Sequence, residues 1–192
     1  MGKLGFYFDQ RYCSGCRTCQ IACKDVNDLD VGALFREVAT LECGTYPNAK
    51  IVHASLSCNH CAKPACVAAC PNDAMYKDEE TGLVLHRDDA CIACESCVKA
   101  CPYGAPTLVE SRGIVQKCDS CIKLRANGEE PACVASCVMR CLHFGDLDEL
   151  KEKYGSDGVS CEAPYLPSPD TEPSLLIMPK DVPDQAFRPK AI

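Results

Sequence analysis

Sixteen of the nineteen cysteines stand in four blocks of four: Cys13, Cys16, Cys19 and Cys23; Cys58, Cys61, Cys66 and Cys70; Cys91, Cys94, Cys97 and Cys101; Cys118, Cys121, Cys133 and Cys137. Grouped thiolates are soft ligands, suited to iron–sulfur clusters and to zinc. Spacing separates the two. The third block, closed by Pro102, has gaps of two, two and three residues followed by Cys-Pro, the run that binds 4Fe–4S clusters. The first block repeats it with Lys24 in the proline position, and the second widens one gap to four residues and ends on Pro71. Zinc sites usually hold two cysteine pairs a dozen or more residues apart, a form that only the fourth block has. A disulfide framework belongs to short secreted chains, and no N-terminal apolar stretch resembles a secretory signal. Four cluster blocks imply four redox centres, which suits a chain that moves electrons over distance.

The spacing also has a mechanical meaning. Three thiolates of one loop converge on three corners of a cubane, while the intervening backbone N–H groups face its sulfides. A proline after the fourth cysteine turns the chain away, and in two-cluster ferredoxins that cysteine serves the other cluster. Ligand exchange between paired blocks is therefore expected. Only Asn72–Ala90 separates blocks two and three, which makes them one pair; blocks one and four pair by elimination. The expected sets are A, Cys13, Cys16, Cys19 and Cys137; B, Cys118, Cys121, Cys133 and Cys23; C, Cys58, Cys61, Cys66 and Cys101; and D, Cys91, Cys94, Cys97 and Cys70. The expected cofactors are four 4Fe–4S clusters.

The elements that must hold these loops are short. The expected fold is α+β: two interleaved bacterial-type ferredoxin units of short strands and helices, plus an extended proline-rich C-terminal tail. Residues 1–24 with 111–145 would form one unit and 57–110 the other, with 25–56 an insertion or linker, weakly helical at Ala33–Thr40. Residues 146–192 would supply a short helix and a partner-binding tail. Strands are expected at Gly5–Asp9, Lys50–Leu56, Leu83–His86, Thr107–Glu110 and Ile114–Lys117. Prolines keep the tail from forming a continuous helix or a central strand, and its apolar island Leu175–Met178 suits a partner's surface. The chain has no tryptophan and five phenylalanines, so the clusters must supply much of the core and folding should be coupled to their loading. A net charge of −7 argues against nucleic acid, and no apolar run approaches the ~18 residues needed to span a bilayer.

The four blocks in this order, with the irregular second one, resemble the iron–sulfur subunits of molybdopterin oxidoreductases, above all the electron-transfer B subunit of anaerobic dimethyl sulfoxide reductases. Ser57-Cys58-Asn59-His60-Cys61, Pro64-Ala65-Cys66, Cys101-Pro102-Tyr103-Gly104-Ala105-Pro106, Lys117-Cys118-Asp119-Ser120-Cys121, His143-Phe144-Gly145 and Asp148-Glu149-Leu150 carry the likeness. It implies a non-catalytic wire with no active site of its own, held at the membrane periphery by partner subunits. One partner would hold a molybdenum or tungsten pterin cofactor; another, embedded in the membrane, would oxidise quinol. Sets A and B would face the first, and C and D the second. The resemblance implies the same exchange of ligands, and Cys97 in the third position of its block implies a 4Fe–4S rather than a 3Fe–4S centre there. The chain departs from the family at Val138, where proline is usual, and at Cys141, where alanine is usual. Cys141 is thus a rival to Cys137 as sixteenth ligand, although Cys137 keeps the three-residue gap that closes the other blocks.

The other chemistry-bearing residues add no reaction centre. Cys43 and Cys161 lie outside any ligand spacing, and His60 is expected to bond a sulfur or simply to pack. His53, His86 and His143 show no acid, base or nucleophile pattern. Block one is flanked by Arg11, Arg17 and Lys24 against Asp9 and Asp25, and block three by Asp88, Asp89 and Glu95 against Arg87 and Lys99. Positive charge favours the reduced cluster, so the block-one centre should have the higher potential. The same wire would serve a formate dehydrogenase, a thiosulfate or polysulfide reductase or a hydrogenase-linked complex. A free-standing polyferredoxin is the reading of a different class.

Overall fold

The computed structural model describes residues 2–155 and 170–181 and the backbone of 188–189. The chain enters on β1 (Leu4–Asp9), buried along nearly its whole length because it is the central strand of its sheet. The first cysteine loop opens into α1 (Thr18–Val26), whose buried residues Cys19 and Cys23 are four apart and so share one face. A hairpin follows, β2 (Arg36–Cys43) and β3 (Lys50–Ser57), paired antiparallel with Arg36 opposite Ser57 and Cys43 opposite Lys50. This overturns the helical pattern expected at Ala33–Thr40. Arg36 and Val38 are buried on either side of an exposed Glu37, as are Leu41 and Cys43 about Glu42, and β-branched Val38 and Thr40 suit a half-buried pleat.

The second block runs into α2 (Ala65–Ala68) and then the antiparallel hairpin β4 (Met75–Lys77) and β5 (Val84–His86). The third runs into α3 (Ser96–Ala100) and the hairpin β6 (Thr107–Val109) and β7 (Ile114–Gln116). Loop, helix and hairpin thus occur twice, which accounts for the 33-residue offset between Cys58 and Cys91. The fourth block spans α4 (Ile122–Ala126) and α5 (Ala132–Ala135) and leads into β8 (Leu142–Asp146) and α6 (Leu147–Tyr154). The Asp146 carboxylate caps α6 by accepting from the N–H groups of Asp148 and Glu149. β8 pairs antiparallel with β1, and α1 packs on α5, so the flanks of blocks one and four meet.

The other edge of β1 is taken by β9 (Leu175–Met178), which runs parallel to it with Phe6 opposite Leu175. This corrects the expectation for the apolar island. Ile177 is fully buried, and Leu175 and Leu176 are nearly so, within their own chain rather than on a partner. Backbone bonds from Ala62 to Glu172, Lys63 to Thr171 and Ser174 to Asn59 fasten the approach to β9 onto block two. β10 (Arg188–Pro189) adds to β2. Cys161 and the rest of the proline-rich tail lie outside the described residues. Among those described, no helix is long and apolar enough to cross a membrane. The core is built on thiols: one cluster gathers Phe6, Phe8 and Phe35 with cysteines of blocks one, two and four, and another sets Met75, Val84 and Val115 around Cys66 and Cys97.

Candidate metal centres

In every block the residue before the second cysteine is left-handed: Gly15 (φ 71°), His60 (φ 45°), Ala93 (φ 53°) and Ser120 (φ 59°). Such a turn aims successive N–H groups to one side, making a concavity for anions and cluster sulfurs. The Ser120 N–H donates to Cys118 Sγ at 3.3 Å. Left-handed backbone costs about 1–3 kcal/mol at a non-glycine residue and persists only where its surroundings dictate it. Arg17 and Glu95, each just past a second cysteine, share it at φ 62° and 57° and start α1 and α3. Glycine is required at position 15, where a Cβ would sit 2.4 Å from His53 Nδ1.

Three cavities are ringed by thiols from two blocks each. Cys13, Cys16, Cys19 and Cys137 line one, joined by Cys141. Cys91, Cys94, Cys97 and Cys70 line a second, and Cys58, Cys61, Cys66 and Cys101 a third. The remaining four are brought together as electrostatic neighbours: Cys23 senses Cys133 and Cys121, and Cys118 senses Cys23 and Cys133. Among the described residues no three His, Cys, Asp or Glu side chains meet at a single-ion position. Thiols spaced around a cavity, with N–H and O–H donors on their sulfurs, fit a polynuclear iron–sulfur cluster.

Burial sets the state of these thiols before any metal is held. It pushes Cys23 and Cys66 up to about 12 and Cys97 up to about 11, and raises fully buried Cys118 well above the ordinary thiol value. Exposed Cys16 and Cys94 are instead lowered by hydrogen bonds with Thr18 and Ser96. A hydrogen bond between Cys141 and Cys13 lowers Cys13 to about 7 and pushes Cys141 up. Iron must therefore displace protons from the buried ligands, so loading releases protons and favours neutral to alkaline conditions.

Several site residues are not legible in the ligand spacing. Arg36, 2% exposed, comes in from β2 and bonds Ser55 and Ser57 on β3; Ser55 Oγ in turn lies 3.4 Å from Cys19 Sγ. Lys117, 4% exposed, lines the cavity of Cys58 and its partners and donates to the carbonyls of Val84 and Cys118. Neither residue is marked by its neighbours in sequence: Arg36 stands in Phe35-Arg36-Glu37-Val38 beside a second charge. His60 is fully buried: its Nδ1 accepts from the Val84 N–H, its Nε2 has no partner among the described residues, and burial pushes its pKa well down. Cys43 is buried beside the Lys50 carbonyl, away from the cavities.

Comparison with known proteins agrees with this geometry. The 4Fe–4S dicluster domain family matches residues 49–147. The B chain of anaerobic dimethyl sulfoxide reductase from Escherichia coli K12 is 41% identical over 185 residues, covering 92% of this chain and 89% of the relative. Its counterpart from Haemophilus influenzae is 39% identical over 188 residues, 93% and 90% of the two chains. The B subunit of sulfite dehydrogenase from Allochromatium vinosum is 36% identical over 170 residues, 78% and 71% of the two. The protein belongs to the ferredoxin-type iron–sulfur subunits of molybdopterin oxidoreductases, in the family of the dimethyl sulfoxide reductase B chains.

Proposed function

We propose that this protein is the electron-transfer subunit of a membrane-bound molybdopterin oxidoreductase of the dimethyl sulfoxide reductase kind, with four 4Fe–4S clusters held by sets A, B, C and D. Each cluster supplies one-electron transfer, and the protein tunes it through charge, hydrogen bonds and exposure. Three cavity linings support sets A, C and D, and mutual electrostatic neighbours support set B. A row is supported as well: Cys19 of A neighbours Cys133 of B, and Cys118 of B neighbours Cys58 of C. Sets C and D share two helices, since α2 carries Cys66 and leads to Cys70 while α3 carries Cys97 and leads to Cys101. The observation that carries the reading is the exposure of the ligands. Of the sixteen, only Cys16 of A and Cys94 of D are exposed, one at each end of the row. Electrons enter and leave where clusters approach the surface, and the protein shields those between.

The A end would face the catalytic subunit and the D end a quinol-oxidising membrane anchor. Anaerobic purification in detergent from the native host, with metal analysis, tests this. About sixteen irons per chain, a large partner and molybdenum or tungsten support the reading, and zinc in place of iron would sink it. The chain recovered alone with its iron would make it a free polyferredoxin. Placement of Leu175–Met178 inside the fold removes one argument against that alternative. The relatives are by name components of larger enzymes, a dimethyl sulfoxide reductase and a sulfite dehydrogenase, and so favour the first reading.

A further inference from the structure

Among the described residues, Arg36 is a buried charge without an opposite. None of the ion pairs among the described residues includes it. Its Nη1 donates to the Ser55 carbonyl at 3.1 Å and to Ser55 Oγ at 3.2 Å, and Nη2 donates to Ser57 Oγ at 2.9 Å. The guanidinium lies 4.8 Å over the Phe6 ring, and Nε has no partner. All these neighbours are neutral. Burying an unpaired cation is strongly unfavourable, and a guanidinium cannot relieve the cost by losing its proton. The groups that act on it electrostatically are thiols: Cys133, Cys118 and Cys23 of set B, and Cys19 of set A.

We propose that Arg36 is the built-in counter-charge of centres A and B, offsetting the negative charge that thiolate-held clusters carry and raising the reduction potential of that end of the row. This rests on the four-cluster reading above. Ser55 extends the effect to centre A. Its Oγ accepts from Arg36, so its own proton is left to donate to Cys19 Sγ, 3.4 Å away, once that sulfur is a thiolate. Of the cations beside block one in sequence, Arg11 and Lys24 are occupied elsewhere, whereas Arg17 lines the cavity of set A. Arg11 is paired with Asp9 at 2.6 Å, and Lys24 donates to the carbonyls of Leu29, Asp30 and Ala33. Arg36 thus adds to this end a fully buried charge that comes from a strand outside every cysteine block.

The test is a redox titration of the whole complex followed by paramagnetic resonance, with Cys16 and Cys121 variants assigning the A and B signals. In Arg36→Gln, with iron content unchanged, centres A and B should become harder to reduce by at least tenfold, about 59 mV for one electron. Arg36→Lys should recover most of that, and Ser55→Ala should shift centre A alone while Ser55→Thr does not. Fully loaded Arg36→Gln with unchanged potentials would overturn the proposal. If Arg36→Gln fails to load, Ser55→Ala decides: a shift confined to centre A upholds the relay from Arg36, and none refutes it. Zinc, or too few irons, in the unmutated complex would refute the four-cluster reading instead.

Discussion

The sulfurs of Cys137 and Cys141 lie 3.6 Å apart, both buried at the cavity of set A. One site thus has five thiols. The hydrogen bond to Cys13, with burial and the neighbouring Cys137, raises the Cys141 thiol, and Cys137 keeps the three-residue gap that closes the other blocks, so Cys137 is the expected ligand. Cys137→Ser should therefore lose or convert centre A, whereas Cys141→Ala should keep about sixteen irons per chain. Iron analysis with paramagnetic resonance distinguishes them, and loss of a centre in Cys141→Ala would reverse the assignment.

The strand β9 is predicted to be structural. Ile177 has no exposed surface, so Ile177→Ala should cost about 2–5 kcal/mol in stability and lower the thermal midpoint of the loaded protein. An unchanged midpoint with loss of the partner subunit would restore the docking role expected of the tail.

The ligand spacing makes the cysteine loops legible because a cubane dictates local loop geometry. The charges around the clusters are not legible, because they arrive through tertiary packing. Arg36 is thirteen residues beyond Cys23 in sequence, and only the β2–β3 hairpin turns it and Ser55 toward Cys19. The start of that hairpin reads as weak helix in sequence because Phe35, Val38 and Leu41 also fit a helical period, and pairing with β3 settles the matter. Leu175–Met178 reads as unpartnered because its mate, β1, lies at the other end of the chain. Of the four left-handed positions, only Gly15 announces itself by residue type.

That glycine yields a third prediction. Gly15→Ala should impair loading of centre A, since the new methyl meets His53 at 2.4 Å and the backbone there is left-handed. Adding His53→Ala should restore part of the loading by removing the contact but not the backbone penalty. Ala93→Gly, at the equivalent turn of block three, should leave centre D loaded. Equal damage in the single and double variants would show that His53 is not the obstacle.

Exposure predicts the order in which the clusters fail. Under a mild oxidant with an iron chelator, the centres of Cys16 and Cys94 should be lost first, and that of fully buried Cys118 last. Timed samples read by paramagnetic resonance would show this as disappearance of the A and D signals ahead of B. Simultaneous loss would mean that the fold opens as a unit before any cluster is attacked.

The sheet formed by β8, β1 and β9 also bears on synthesis. β1 is made first, yet its two neighbours are made only after residues 142–146 and 175–178 have emerged. The cysteines of blocks two and three, with their hairpins, are complete by Gln116. At about 5–20 residues per second, the central blocks leave the ribosome whole while the first block still waits for its mates. The protein is then assembled from its middle outward, and the oldest cysteines are among the last to be enclosed.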